Sequence, residues 1–410
     1  MEVLDRFLRY VVIDTQSDPN SPTQPSTAKQ FDLAKVLAGE LRDLGLADAE
    51  VDEHGYVYAT VPATDGHESA PVICFCAHMD TSPDASGSGV EPIVHRDYDG
   101  SDIHLPRGNG VVIRAKDFAG LEDNIGQTII TASGDTLLGA DNKSGVAAIM
   151  AAVEYLLQHP EIPHGRLRIL FTPDEEIGRG VDAVDMDKLA ADFGYTIDGE
   201  ARGSLEDETF SADGATITIE GVSAHPGFAK GKLENAVKIA ADIVAALPRR
   251  GLSPETTEDR EGFLHPVSLT AKAESARIDF ILRDFETEQL RDHADVLRAV
   301  IAEVAPRYPN SSIRLDVKEQ YRNMKEVLRD HPRVTRLAEE AIRAVGLKVR
   351  RAHIRGGTDG SRLSFMGLPC PNIFAGEHAF HSPFEWASEY EMKKAAEVIV
   401  AISRLNTQGQ

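Results

Sequence analysis

The chain has 410 residues, 42% apolar and 27% charged, which is the balance of a folded globular protein of about two domains and excludes a disordered or fibrous one. Its formal net charge of −23 at pH 7 excludes a surface that gathers nucleic acid phosphates or acidic membranes by long-range attraction. Three cysteines, Cys74, Cys76 and Cys370, are too sparse for a disulfide framework and point to a reducing compartment.

Residues 1–14 (MEVLDRFLRYVVID) predict an amphipathic helix. They carry charges throughout and lack the apolar centre and cleavage site of a signal peptide. No stretch reaches the length of a membrane span, so the expected location is the cytoplasm. Residues 25–44 predict a second helix, with Pro25 and Ser26 as start signals and Gly45 as the stop. Residues 50–62 alternate around His54-Gly55 and predict a hairpin. The apolar run 71–77 (PVICFCA) reads as a buried parallel strand, with Cys74 and Cys76 as small core residues. A metal role for this cysteine pair is the other reading. A strongly apolar helix follows at 144–157, then strands at 166–172 and 194–198. Alternating strands and helices predict an α/β domain with a largely parallel sheet, whose ligands gather at the carboxyl ends of the strands.

The character changes near residue 208. Strand 215–221, helix 232–247, strands 266–274 and 275–285, helix 286–305 and strand 311–320 follow in the order βαββαβ of a ferredoxin-like sandwich. Its two amphipathic helices cover one sheet face and leave the other free. Such an insertion is a candidate lid or dimerisation module. From about residue 322 the α/β character returns, with helix 331–345, the Gly-rich RGGTDGS and a closing helix over 389–404. The expected domains are 1–207, 208–321 and 322–410, the first and last forming one body.

Acids and imidazoles stand just after candidate strands or at loops: His78 in AHMDT, Asp141 in GADNKSG, Glu175-Glu176 in PDEEIG, Asp198 in TIDGE and His381 in AFHSP. Each alone has an ordinary reading, as a turn residue, a solvated loop residue or, for Asp141, a helix N-cap. His78 and Asp80 are two apart, so an extended chain sets them on one side. A metal-binding histidine needs its second ring nitrogen fixed, and Asp80 can do that. Adjacent carboxylates at a buried strand end repel unless a cation lies between them, which favours a functional Glu175-Glu176. Two Zn²⁺ bring four positive charges. Asp141, Glu176 and Asp198 return three, His78 and His381 are neutral, and one hydroxide completes neutrality. Mixed imidazole and carboxylate donors without thiolate suit catalytic zinc, with Mn²⁺ or Co²⁺ as substitutes. Glu175 is left as the general base.

These segments, with GVSAHPGFAKGKLENA, RDF at 283–285 and IRGGTDGSRLSFMGLPCPN, resemble the peptidase T family over essentially the whole chain. Those enzymes are tripeptide aminopeptidases of the wider clan of di-zinc aminopeptidases, dipeptidases and deacylases. The resemblance implies a catalytic domain in two chain segments with an inserted ferredoxin-like lid that makes a homodimer. It implies two Zn²⁺ per subunit, one on His78, Asp141 and Asp198, the other on Asp141, Glu176 and His381. Asp80 becomes the partner of His78 and Glu175 the base. Relatives often carry a second Asp after the bridging one, at an unusual cis peptide; here that residue is Asn142. His378 competes with His381 as the late ligand. His225 is expected to reach the partner subunit's active site and stabilise the oxyanion. Arg283 and Arg355 are candidates for the peptide's terminal carboxylate, and Asn323 for a further polar contact. The ordinary readings are a turn for His225, an ion pair with Asp284 or Glu286 for Arg283, and a solvated basic cluster for Arg355.

The function implied is release of the N-terminal residue from short peptides, tripeptides preferred, by a water bridging two zinc ions. A dipeptidase or an amide deacylase would use the same metals. From a different class, an inactive dimeric peptide-binding protein would have lost a ligand or the base.

Overall fold

The computed structural model describes residues 2–408. They form two compact units, one of residues 2–207, 324–352 and 358–408, the other of 208–323 and 353–357.

The first unit is built on an eight-stranded mixed sheet. Its order is Glu50–Val51, Val57–Val61, Leu167–Thr172, Ile73–His78, Phe193–Gly199, Asn372–Phe374, Ser204–Thr209, Arg350–Ile354. The four middle strands run parallel. Val57–Val61 and Ser204–Thr209 join them antiparallel. The run ICFCAH is continuous because both sheet faces are covered. Ile73, Phe75 and Ala77 face the main core with the helices Leu4–Val11, Ala140–Gln158 and Glu389–Leu405. Cys74 and Cys76 alternate to the other face, in a smaller core with Cys370, Leu363 and Tyr56. The three thiols are free and buried, and burial pushes the Cys74 thiol up to about 12, so they are core residues. The hairpin expected over 50–62 is present, Glu50–Val51 against Val57–Val61.

Register sets up the site. His78 pairs with Thr172, and Cys76 with Thr196, so His78 stands level with Asp198 two residues on. Three parallel strands therefore end together, at the edge where open α/β sheets present ligands. A separate antiparallel sheet orders Glu377–His378, Trp386–Ser388, Ile129–Thr131 and Ile93–His95. The loop joining its first two strands carries His381 and Glu385.

The helix expected over 25–44 starts later, at Gln30. Ser26 is not its cap. Its N–H and hydroxyl both bond the buried Asp174 carboxylate, at 2.7 and 2.5 Å, and the chain turns once more before the helix begins.

The second unit is a four-stranded antiparallel sheet in the order Phe263–Ala271, Ser275–Asp284, Ser211–Glu220, Ser312–Tyr321. Helices Ala236–Ala246 and Gln289–Val304 bury one face through Ile239, Ile243, Leu290 and Leu297. This is the ferredoxin-like arrangement, and the alternating strand patterns match a sheet buried on one side. No helix among the described residues is long and apolar enough to cross a membrane.

Candidate metal centre

Five scattered side chains of the first unit meet. His78, Asp141 and Asp198 form one donor triad, and Asp141, Glu176 and His381 a second, each with its donor atoms within 4.8 Å of one another. Asp141 belongs to both. His78 Nε2 lies 2.8 Å from Asp141 Oδ1 and 3.3 Å from Asp198 Oδ1. His381 Nε2 lies 3.3 Å from Asp141 Oδ2 and 2.8 Å from Glu176 Oε2. The two Asp141 oxygens thus face opposite histidines.

Local structure places each donor. His78 ends its strand, and its Nδ1 contacts the Asp80 backbone oxygen at 3.1 Å and Asp80 Oδ1 at 3.3 Å. The fully buried Asp80 carboxylate also accepts the backbone N–H groups of Glu175 and Glu176, at 3.0 and 3.2 Å. It therefore holds three site residues. Glu175 and Glu176 form a short 3₁₀ turn entered at Asp174, which has a φ of +57°. Asp174 is itself fixed by Ser26 and Gln30. Asp141 and Asn142 interrupt the start of helix Ala140–Gln158, and the peptide between them is cis.

The electrostatics fit two cations. Burial, then the neighbouring Asp141, pushes the Glu176 carboxyl up to about 8, and its Oε1 is buried without a hydrogen-bond partner. Burial raises the Glu175 carboxyl well above the carboxylate range; His78 opposes this while Asp198, Asp359 and Glu176 add to it. Burial also raises Asp198. Burial would raise Asp141 as well, but hydrogen bonds from His381 and His78 overcome it and hold it below the ordinary range. Burial works against charging His381, yet Asp141 and Glu176 raise it to about 11. Carboxylates crowd here, burial and one another's charge raising Glu175, Glu176 and Asp198, and one Glu176 oxygen is buried without a partner. Divalent cations resolve both, and the oxygen and imidazole donor set suits them.

His378, the competing late histidine, is employed elsewhere. Its Nε2 lies 2.7 Å from Glu391 Oε2 and its ring stacks on Trp386 with centroids 3.8 Å apart. The more exposed His381 faces the triad.

Sequence reasoning missed several buried acids around the centre. Glu385 accepts N–H groups from Leu138, Gly139 and Asp141. Asp359 accepts the Thr172 hydroxyl at 2.6 Å, and Glu377 the Ser144 hydroxyl at 2.8 Å. Glu206 accepts from Asn372, whose Nδ2 also bonds the Asp198 backbone oxygen. Their only signal was an acid beside an apolar segment.

The four expected substrate residues belong to the second unit. His225 is exposed, and its Nδ1 accepts the Gly227 N–H at 3.2 Å. Arg283 donates to the backbone oxygens of Leu282 and Asp213 and lies over the Tyr321 ring, in place of the ion pair with Asp284 or Glu286. Arg355 donates to the backbone oxygens of Asp259 and Glu261 and covers Phe210, apart from the basic cluster of its sequence neighbours. Asn323 is buried, accepting from Thr209 N–H and donating to the Phe285 carbonyl, both at 3.0 Å. In the Gly-rich segment, Gly357 packs on the Tyr321 ring, so that glycine serves close packing within the protein.

Comparison with known proteins agrees with this geometry. The model of "Peptidase family M20/M25/M40" matches residues 137–404. Peptidase T of Geobacillus kaustophilus (strain HTA426) is 46% identical over 404 residues, covering 98% of each chain. Peptidase T of Caldanaerobacter subterraneus subsp. tengcongensis is 45% identical with the same coverage. Among solved structures, aminopeptidase PepT from Bacillus cereus ATCC 10987 shares the fold at a TM-score of 0.73 and 23% identity, over 99% of this chain and 98% of that one. A tripeptidase from Staphylococcus aureus does so at 0.76 and 23%, with the same coverage. A Bacillus subtilis protein described as a dinuclear metal binding peptidase from the M20 family has a TM-score of 0.64 at 13% identity, over 100% and 98%.

Proposed function

We infer the activity from one premise: this chain belongs to the peptidase family M20/M25/M40 and, within it, to the peptidase T group. It is a metal-dependent aminopeptidase that removes the N-terminal residue from tripeptides. The observation that carries this reading is Asp141, shared between two donor triads at the carboxyl ends of parallel strands.

His78, Asp141 and Asp198 would hold one cation, and Asp141, Glu176 and His381 the other. Zinc is the proposed metal, on the strength of the imidazole and carboxylate donors, with Mn²⁺ or Co²⁺ as substitutes. When bound, such a pair polarises a carbonyl oxygen and brings the pKa of a water to about 7. Glu175 takes the proton of the attacking water and delivers it to the departing amine nitrogen. Its Oε2 lies 4.0 Å from His78 Nε2, beside the first triad, and burial gives it a high proton affinity. Asp80 keeps Glu175, Glu176 and His78 in register with each other. His225 of the partner subunit donates to the developing oxyanion, an interaction of about 3 kcal/mol in comparable sites. Arg283 and Arg355 grip the peptide's terminal carboxylate, with Asn323 as an additional polar contact. An extended peptide grows by about 3.3–3.6 Å per residue, so a fixed anchor selects length.

The second unit is proposed as lid and homodimerisation domain. Its sheet has two edge strands, and Val267 and Leu269 on one of them are each 51% exposed. The cytoplasm is the proposed location, since three unpaired thiols suit a reducing compartment. The deciding experiment is hydrolysis of di-, tri- and tetrapeptides and N-acyl amino acids, with and without a chelator. Tripeptides should be cleaved fastest, and the chelator should abolish cleavage. Chelator-resistant turnover would sink the metal reading, and preference for N-acyl substrates would favour a deacylase.

A further inference from the structure

Glu385 lies four residues beyond His381, in the same loop between strands Glu377–His378 and Trp386–Ser388. It is 1% exposed. Its carboxylate is filled by backbone donors from the other side of the site. Oε2 accepts the Leu138 N–H at 2.6 Å and the Gly139 N–H at 2.7 Å, and Oε1 accepts the Asp141 N–H at 3.0 Å. These donors come from the turn that enters helix Ala140–Gln158, where Gly139 has a φ of +80°. Three N–H groups converging on a carboxylate make a nest for negative charge, and charge-assisted bonds of this kind are about twice as strong as neutral ones. The contact joins points 244 residues apart in sequence. One end is the backbone of Asp141, the other the loop of His381.

We propose that Glu385 is a positioning residue: it clamps the Asp141 turn to the His381 loop and so sets the cation site formed by Asp141, Glu176 and His381. The inference rests on the two-metal reading above. The other triad depends on the clamp less. His78 and Asp198 sit on strands locked in the sheet, and only Asp141 is shared. The second triad takes two of its three donors, Asp141 and His381, from the segments Glu385 joins. Loss of the clamp should therefore weaken one cation more than the other.

The test uses Mn²⁺ and the full-length protein. Glu385→Gln keeps the shape but turns an N–H donor toward a backbone N–H, so three bonds cannot all form. Glu385→Asp keeps the charge but falls short by one methylene. Titration calorimetry would give two Mn²⁺ affinities, and electron paramagnetic resonance would report the spin-coupled pair. In each variant one Mn²⁺ should bind within about threefold of the unaltered protein, while the other loses about 10–100-fold, the usual cost of removing such a support. The coupled signal should appear only at correspondingly higher Mn²⁺, with circular dichroism unchanged. Unaltered affinities in both variants, or equal losses at both sites, would overturn the proposal. A variant that fails to fold leaves the decision to the other; if neither folds, Glu385 is a residue of the fold and the proposal is overturned. An unaltered protein that takes up no Mn²⁺ at all overturns the two-metal reading itself, a result distinct from two normal sites in the variants.

Discussion

Asp80 Oδ1 accepts the Glu175 backbone N–H at 3.0 Å, so the residue in contact with His78, a proposed metal ligand, also fixes the main chain of the proposed base. The coupling makes Asp80 more than an orienter of one imidazole. Asp80→Ala frees the Glu175-Glu176 turn and the His78 ring together. Metal affinity or turnover should fall by about 10–100-fold. Metal content after dialysis and kcat on a tripeptide are the measurements; unaltered values for both would remove Asp80 from the site.

Glu175 bonds Asp80 only through its backbone, and its side chain belongs to neither donor triad. Glu175→Ala should keep both cations and lose roughly 10²–10⁴ in kcat, the span of general acid–base catalysis. Loss of a cation in this variant would recast Glu175 as a ligand.

The two late histidines should separate cleanly. His381→Ala should lower the number of cations held per chain. His378→Ala should leave that number intact and cost about 1–3 kcal/mol of stability, because it breaks a buried bond to Glu391 and a stack on Trp386. Metal analysis and denaturant midpoints distinguish them, and the reverse pattern would transfer the ligand role to His378.

Stability of the chelated protein should fall as pH rises. Burial is the leading cause that raises Glu176 and Glu206 to about 8, and Asp359 and Glu385 to about 7. Each then keeps its proton to higher pH folded than unfolded, where a carboxyl titrates near about 4. Over this window the folded state binds more protons, and stability declines with rising pH. The raised His381 acts in the same direction above about pH 6.5. Cations replace protons at the centre and should flatten the profile. Denaturant midpoints at about pH 5 and pH 8, with and without metal, check this. A chelated protein equally stable at both would contradict the buried-acid account.

Much of this centre was legible from the chain. Strand-end placement brought out His78, Glu175, Glu176 and Asp198, because parallel strands ending together force the residues at their ends together, whereas Asp141 stands at a helix start and was singled out by its motif. The βαββαβ order made the second unit's antiparallel sheet and its two covering helices legible from the period of the apolar residues. Glu385 was not legible. Its significance lies in accepting from backbone atoms at 138–141, and backbone donors have no sequence signature. Asp174 was hidden likewise: it binds Ser26, which resembles a helix cap when read locally. The helix start was misplaced by that one long-range bond. Arg283, Arg355, Asn323 and His225 form no local pattern with the metal donors, which periodicity cannot remedy.

Strand Asn372–Phe374 lies between Phe193–Gly199 and Ser204–Thr209, two segments that adjoin in sequence. During translation the sheet therefore keeps an open slot until residue 374 has left the ribosome, and His381 follows seven residues later. The proposed hydrolytic centre cannot assemble on a chain that stops short of residue 381, so the protein is armed only after that residue has been made.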